Sequence, residues 1–314
     1  MTCGPQRAAQ TPLLLLLLQL LQLLLLLASM GPRAAASSKT LLRLFGQQRV
    51  RAVSFDVTGT LLVHRYPIMD TYAACALEAS LCPNPPTAAQ LKPAFKQAYK
   101  ESCMASPCFG SASTGDRDWW KSTVRRAVGL AGASTYSERD FERFFRRVYQ
   151  HYGSLEGYAV LDDTDPALSF LSQYGVVLGI TSNTPHRTIE TVLPMLGLAR
   201  RFSFAVCCQD VGAEKPSPAI FQESFEQAKF ALGDDSLKRE EVLHIGDSLA
   251  GDYCGARAFG MSALFLDRSG DSRVSVYQDW LTAPDYAGKT QDDVQRHTIT
   301  SLSQLREVLS PQQQ

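Results

Sequence analysis

Short apolar runs, separated for the most part by helix-patterned stretches, constrain this chain more than any other feature. They are Val50–Phe55, Val176–Ile180, Phe204–Cys207, Val242–Ile245 and Ala263–Leu266. Runs of this kind lack the alternation of a half-exposed strand and read as strands buried on both faces, as in a parallel sheet. Strands alternating with helices predict an α/β chain with an open, mostly parallel, Rossmann-like sheet. Such sheets bind ligands beyond the carboxyl ends of their strands, so the residues just after each run are the first place to look for chemistry.

Roughly ninety residues of helical pattern lie between the first two runs, far more than a loop needs, and predict an all-helical subdomain inserted into the sheet domain. Its last helix is the plainest. Ser137 and Asp140 make a capping-box-like start, and Phe141, Phe144, Phe145, Val148, Tyr149 and Tyr152 fall on one stripe. Leu91, Phe95 and Tyr99 mark a second helix face. Trp119 and Trp120 open a third helix running through Val124 and Val128 and are expected in the core of the insert. Cys103 to Asp116, rich in Ser, Gly and Pro, reads as a flexible connection. The resulting division is a leader at 1–45, a core at 46–66 and 157–309, a helical cap at 67–156 and a frayed tail at 310–314. Within the core's end, His297–Thr300 reads as a short strand and Ser301–Leu309 as a terminal helix.

Leu13 to Leu27 is leucine broken only by Gln19 and Gln22. That is shorter than the ~20 apolar residues of a comfortable membrane span and fits the apolar region of a signal peptide. A basic, acid-free, Ser-containing segment follows, as in organelle transit peptides. The leader therefore predicts a secretory route or an organelle, plastid or mitochondrion, with no stable membrane span in the mature protein. The alternatives are an uncleaved anchor, a leucine expansion without function or a misassigned start, the last two leaving the protein in the cytosol or nucleus.

The 314 residues, 45% hydrophobic and 20% charged, suffice for a substantial core. Six of the 31 basic residues precede Asp56, leaving 25 basic against 31 acidic beyond it, a balance that argues against nucleic acid as a partner. The eight cysteines contain no C-x-x-C pair and so give no zinc signature. Cys103 and Cys108 are close enough in sequence to pair in an oxidising lumen, although buried free thiols are the simpler expectation. Oligomeric state leaves no mark in the sequence.

Four of the segments beyond the runs carry distinct functional groups. They are Asp56-Val57-Thr58-Gly59-Thr60, Thr181-Ser182-Asn183, Glu214-Lys215-Pro216-Ser217-Pro218, and Gly246-Asp247-Ser248 through Asp252. Each alone would mark a turn or a solvated charge. Together, in this order and with a helical insert after the first, they resemble the four motifs of the haloacid dehalogenase superfamily over about residues 48 to 309. The resemblance implies a hydrolase in which Asp56 attacks phosphorus to form an aspartyl-phosphate. It further implies that Ser182 and Asn183, with Thr58 and Gly59, hold the phosphoryl group, and that Lys215 neutralises charge. Asp56, Asp247 and the Thr58 carbonyl would bind Mg²⁺, with Asp252 either a further ligand or an orienting group. A carboxylate nucleophile, a hydroxyl, a lysine and a hard cation with oxygen ligands are what phosphoryl transfer requires.

Phosphatases of this superfamily usually carry a second aspartate two residues after the nucleophile, to protonate the leaving group and activate water. This chain has Thr58 there, and threonine is not a useful acid at neutral pH, which predicts a rate lower by ~10²–10⁴. The first functional expectation is a Mg²⁺-dependent phosphatase of a small phosphate ester, slowed by Thr58. The second is a protein of this fold that binds or regulates without turnover. The third is a 2-haloacid dehalogenase, disfavoured because paired carboxylates repel an anionic haloacid. His64 and His186 fall near the expected site mouth, as loop histidines more often do without taking part in catalysis.

Overall fold

The computed structural model describes residues 40–112, 115–133, 135–269 and 291–313. The leucine-rich segment lies outside the described residues. Among them, no helix is long and apolar enough to cross a membrane.

The predicted strands form one six-stranded sheet. Its members are β3 (Ala52–Phe55), β6 (Val177–Ser182), β7 (Phe204–Cys207), β8 (Val242–Gly246), β9 (Ser262–Leu266) and β10 (Thr298–Ile299). The order is β10-β9-β8-β3-β6-β7, and every neighbouring pair is parallel. From β3 the chain builds outward through β6 and β7 on one side, then returns through β8, β9 and β10 on the other. The carboxyl end of β3 is therefore the switch point at which open α/β sheets form their crevice.

Alternation along each strand divides the core between the two faces of the sheet. Val53 and Phe55 join Leu178, Ile180, Leu243 and Ile245 in one apolar cluster, while Ala52 and Val242 join Phe221, Phe225 and Phe259 in another. Helix Thr164–Gln173 supplies Leu168 and Leu171 to the first. Helix Pro218–Leu232, begun by Pro at its first position and ended by Gly233 in the left-handed region, supplies Phe221 and Phe225 to the second.

A two-stranded antiparallel ribbon, β4 (Leu62–His64) with β5 (Tyr158–Val160), forms the two-way passage to the insert. The cap contains four principal helices, α1 (Ile68–Glu78), α2 (Ala88–Ala105), α3 (Asp116–Leu130) and α4 (Glu138–His151). Ser137 caps α4 by accepting from the Asp140 N–H, and Phe141, Phe144, Phe145 and Val148 are buried in the cap's own cluster with Tyr72 and Leu91. The segment read as a flexible connection is partly helical: α2 continues to Ala105, and at Pro107–Gly110 the chain turns sharply, with Cys108, Phe109 and Gly110 in the left-handed region.

Both ends of the core differ from expectation. Residues 40–44, assigned above to the leader, form strand β1 (Thr40–Leu44), with Leu42 and Leu44 buried in the core cluster. Residues 310–313, expected to fray, form most of β11 (Leu309–Gln313), which pairs antiparallel with β1, and β2 (Gln48–Val50) pairs on the other side of β1. The physical reason is the apolar pair Leu42 and Leu44, which needs a covered face, and Leu309, which is fully buried on it. The last predicted helix is shorter than expected, a 3-10 turn at Leu302–Gln304 and a single helical turn at Leu305–Val308.

Candidate active site

Three adjacent central strands, β8, β3 and β6, end at one place, and each delivers a different group there. Asp56 follows β3, its N–H donating to the Ile245 carbonyl at 2.9 Å and so extending the ladder one residue. Ser182 is the last residue of β6, and its hydroxyl donates to Asp56 Oδ1 at 2.8 Å. Lys215 reaches the same oxygen from the loop before helix Pro218–Leu232, at 2.7 Å, and also donates to the Thr181 carbonyl at 2.9 Å. Asp56 Oδ1 thus receives two donors, which orients the carboxylate.

The Lys215 ammonium makes a third contact, 2.5 Å to Asp252 Oδ1. Burial alone would push this lysine down, but the facing carboxylates of Asp252 and Asp56 hold it well above the ordinary range and keep it charged. Asp252 in turn uses both oxygens. Oδ1 also meets His244 Nε2 at 2.9 Å, and Oδ2 accepts from the Ser248 N–H at 2.9 Å. Burial would raise this carboxyl, yet Lys215 and His244 hold it well below the usual carboxylate range. His244 is completely buried beneath the site, with Nδ1 2.7 Å from the Ser54 hydroxyl. Both ring nitrogens are thereby engaged, Nε2 with Asp252 and Nδ1 with Ser54.

Asn183 has a different task from the phosphoryl contact expected of its side chain. Its amide donates to the Lys215 carbonyl at 3.1 Å and accepts from the Lys215 N–H at 2.7 Å, so both polar ends grip the lysine's backbone. That reciprocal pair holds the Lys215 loop against the end of β6.

Asp247 lies across the cleft from these groups. It is exposed to solvent, yet partial desolvation against the site and then the nearby Asp56 and Asp252 carboxylates push it up to about 7. Carboxylate oxygens of Asp56, Asp247 and Asp252 lie within 4.8 Å of one another. Three carboxylates thus face one ammonium, and the excess negative charge suits a hard divalent cation such as Mg²⁺. Asp56 and Asp247 have the oxygens to hold it. Gly59 makes room: its φ of +89° lies in the left-handed region, and a Cβ there would overlap the Asp247 carboxylate. Gly246 is similarly needed, since a Cβ there would overlap Asp252. The turn is closed by Gly59 N–H to the Leu62 carbonyl at 2.7 Å, and the Thr58 side chain is half-buried.

Several residues that position this site carry no motif. Arg268, just beyond β9, donates to the carbonyls of Gly59 at 3.0 Å and Thr60 at 2.7 Å, and forms a two-pronged ion pair with Asp163 at 2.9 and 3.0 Å. It clamps the turn that follows Asp56. His244 and Ser54 face inward from strands, where sequence patterns give polar residues no special meaning; an ionisable residue inside an otherwise apolar run is the one signal they offered. Arg187 joins core to cap, donating to the Tyr149 carbonyl with its guanidinium 3.6 Å from the centre of the Tyr149 ring.

Between cap and core lies a cavity of about 340 Å³ that reaches Thr58 and Asn183 at the core side. Trp120 lines it, together with Tyr72, Phe95 and Phe145 of the cap, whereas Trp119 is buried and donates to the Ser106 carbonyl at 2.7 Å. Trp119 thus takes the core position expected of both tryptophans, while Trp120 faces the cavity. His64 also lines the cavity, edge-on to Tyr152 and tilted against Tyr158, and burial lowers its pKa. His186 is exposed and bridges Asp210 at 2.7 Å and Glu190 at 2.8 Å. Cys103 and Cys108 are both free thiols.

A family model described as haloacid dehalogenase-like hydrolase matches residues 50–260. The chain is 30% identical over 228 residues to haloacid dehalogenase-like hydrolase domain-containing protein 3 of Danio rerio, covering 72% of this chain and 89% of that one. It is 31% identical over 224 residues to the Bos taurus protein of the same name, covering 69% and 82%. Among solved structures, a 2-haloacid dehalogenase from Pseudomonas syringae pv. Tomato superposes with a TM-score of 0.55 at 22% identity, over 82% of this chain and 97% of that one. The L-2-haloacid dehalogenase of Xanthobacter autotrophicus superposes with a TM-score of 0.53 at 16% identity, over 82% and 96%. At such identities the structural likeness speaks for the fold, and the sequence match carries the family: this chain belongs to the haloacid dehalogenase-like hydrolases.

Proposed function

We propose that the protein is a Mg²⁺-dependent phosphatase that cleaves a small phosphate ester through an aspartyl-phosphate on Asp56. The observation that carries this reading is the shared Lys215 ammonium. It touches Asp56 and Asp252 at once, while Ser182 donates to the same Asp56 oxygen and Asp247 stands opposite. With Oδ1 held by two donors, the other Asp56 oxygen is oriented for attack. An Asp56 oxygen bonds to phosphorus as the ester P–O bond breaks, and the leaving oxygen departs with the electron pair and acquires a proton. Ser182 and Lys215 supply donors to the charge that develops on the transferring group. Water then attacks phosphorus, the Asp56–phosphoryl bond breaks, and inorganic phosphate leaves with Asp56 restored. A Mg²⁺ ion held by Asp56, Asp247 and the Thr58 carbonyl would neutralise phosphoryl charge and align the ester. Asp252, with both oxygens already engaged, is read as the group that orients Lys215.

The cluster of three carboxylates favours this over the dehalogenase reading, because an anionic haloacid gains nothing from Asp247. The test is turnover of a broad panel of phosphate esters with and without Mg²⁺, in the unaltered protein and in Asp56→Asn. Metal-dependent phosphate release that vanishes in Asp56→Asn is expected. Halide release from a 2-haloacid without metal, and no phosphate release from any ester, would overturn the proposal.

A further inference from the structure

The leaving group that this site accepts can be narrowed by two independent features, the walls of its cavity and the residue at position 58. The inference rests on the phosphatase reading above. Tyr72, Phe95, Tyr99, Phe109, Trp120 and Phe145 line the cavity, and among the described residues its walls hold no carboxylate or lysine. The permanent cation among those described residues, Arg187, is already committed to the Tyr149 ring and carbonyl. A polyol or sugar would lose its water there and find few partners, at a cost for each unpaired hydroxyl. A flat ring would instead gain stacking and burial. The size agrees: an apolar cavity of ~150 Å³ holds benzene, so about 340 Å³ accommodates one or two fused rings. Polar groups on the ring are provided for, since the Thr184 and Tyr152 hydroxyls both line the same cavity, buried and without a partner.

Thr58 points the same way by chemistry. With no acid at position 58 to protonate it, the leaving oxygen departs as its anion and takes its proton from water afterwards. An alcohol, with a pKa near the ~15.7 of water, leaves poorly, whereas a phenol, at ~10, leaves readily as its anion. We infer that the substrate is an aryl phosphate, a phosphate monoester of a small phenol-like ring, whose ring occupies the aromatic cavity and whose acidity replaces the missing general acid.

The experiment compares 1-naphthyl, phenyl, benzyl and glycerol phosphates as substrates of the Mg²⁺-loaded full chain. Benzyl phosphate carries a ring but leaves as an alcohol, so it separates recognition from leaving-group acidity. The expected result is that kcat/KM for the two aryl esters exceeds that for benzyl phosphate on the order of 10²-fold or more, and that Thr58→Asp narrows the gap. Glycerol phosphate turned over as well as 1-naphthyl phosphate, in an Asp56-dependent way, would overturn the inference and leave the phosphatase reading intact. Calorimetric titration with 1-naphthylphosphonate and propylphosphonate provides a readout independent of turnover. Binding of the first and not the second, with no ester hydrolysed, supports the aromatic occupant while overturning the phosphatase reading. Equal binding of both, or of neither, counts against the aromatic occupant.

Discussion

On the proposed reaction, Asp56 and Thr58 divide the chemistry between them, and neither role follows from the other. Asp56 has its donors in place, so ester cleavage on that reading has what it needs. The later attack of water has no carboxylate at position 58 to assist it. Accumulation of the covalent species is therefore expected, visible as a burst of phenol release followed by a slower steady rate. Thr58→Asp should raise the steady rate by ~10²–10⁴-fold and abolish the burst; no gain at all would mean that turnover is limited elsewhere. Lys215 is a second residue whose removal has a defined cost. It is nearly enclosed between Asp56 and Asp252, so Lys215→Met leaves two carboxylates facing each other. Loss of activity and of about 3–5 kcal/mol of stability in denaturant titration is expected.

At the scale of elements, the strand ends were legible and their supports were not. An apolar run followed by Asp, Ser or Gly-Asp declares itself in one dimension, which is why Asp56, Ser182 and Asp247 could be placed together from the sequence. Asn183 was assigned to the phosphoryl group by the family resemblance; its amide engages the backbone of Lys215, 32 residues away, a contact no local pattern announces. Arg268 was missed because its partners, Gly59, Thr60 and Asp163, are more than a hundred residues distant. Asp163 also accepts from the Ser301 hydroxyl at 2.7 Å and the Leu302 N–H at 2.8 Å. Burial pushes its carboxyl up, but the bonds from Arg268, Ser301 and Leu302 more than offset this and hold it below the ordinary range. A group lowered on folding stabilises the native state above its unfolded pKa, ~3.9, and the contribution disappears as pH falls through its folded value. Asp163→Asn is expected to cost about 1–3 kcal/mol at neutral pH. The deficit should shrink below about pH 4, as read from paired denaturant titrations. An equal deficit at all pH values would mean that packing, not charge, is at work there.

For the molecule as a whole, the parallel sheet and the inserted helical cap followed from periodicity alone, since buried strands and amphipathic helices write their periods directly into the chain. The small sheet β11-β1-β2 did not, because it unites segments from opposite ends of the described chain. Local pattern cannot report such a pairing, and each half alone resembles a leader or a tail. The cap was legible as a helical body, but its inner surface was not. An aromatic residue on a helix stripe has the same spacing whether it fills a core, as Phe141 and Phe144 do, or lines a cavity, as Trp120 does. Arg187 ties that cap to the core through Tyr149, so Arg187→Ala is expected to raise KM several-fold with a smaller change in kcat, the signature of lost closure. A fall in kcat with KM unchanged would instead place Arg187 in the chemistry.

The central claim is that the phosphoryl group passes through Asp56. The most direct measurement is acid quenching of the Mg²⁺-loaded protein during turnover of an aryl phosphate, followed by mass spectrometry of its peptides. A phosphoryl group on the peptide containing Asp56, present in the unaltered protein, absent in Asp56→Asn and diminished in Thr58→Asp, is the expected result. Steady release of phosphate with no phosphoryl group ever captured on that peptide would contradict it.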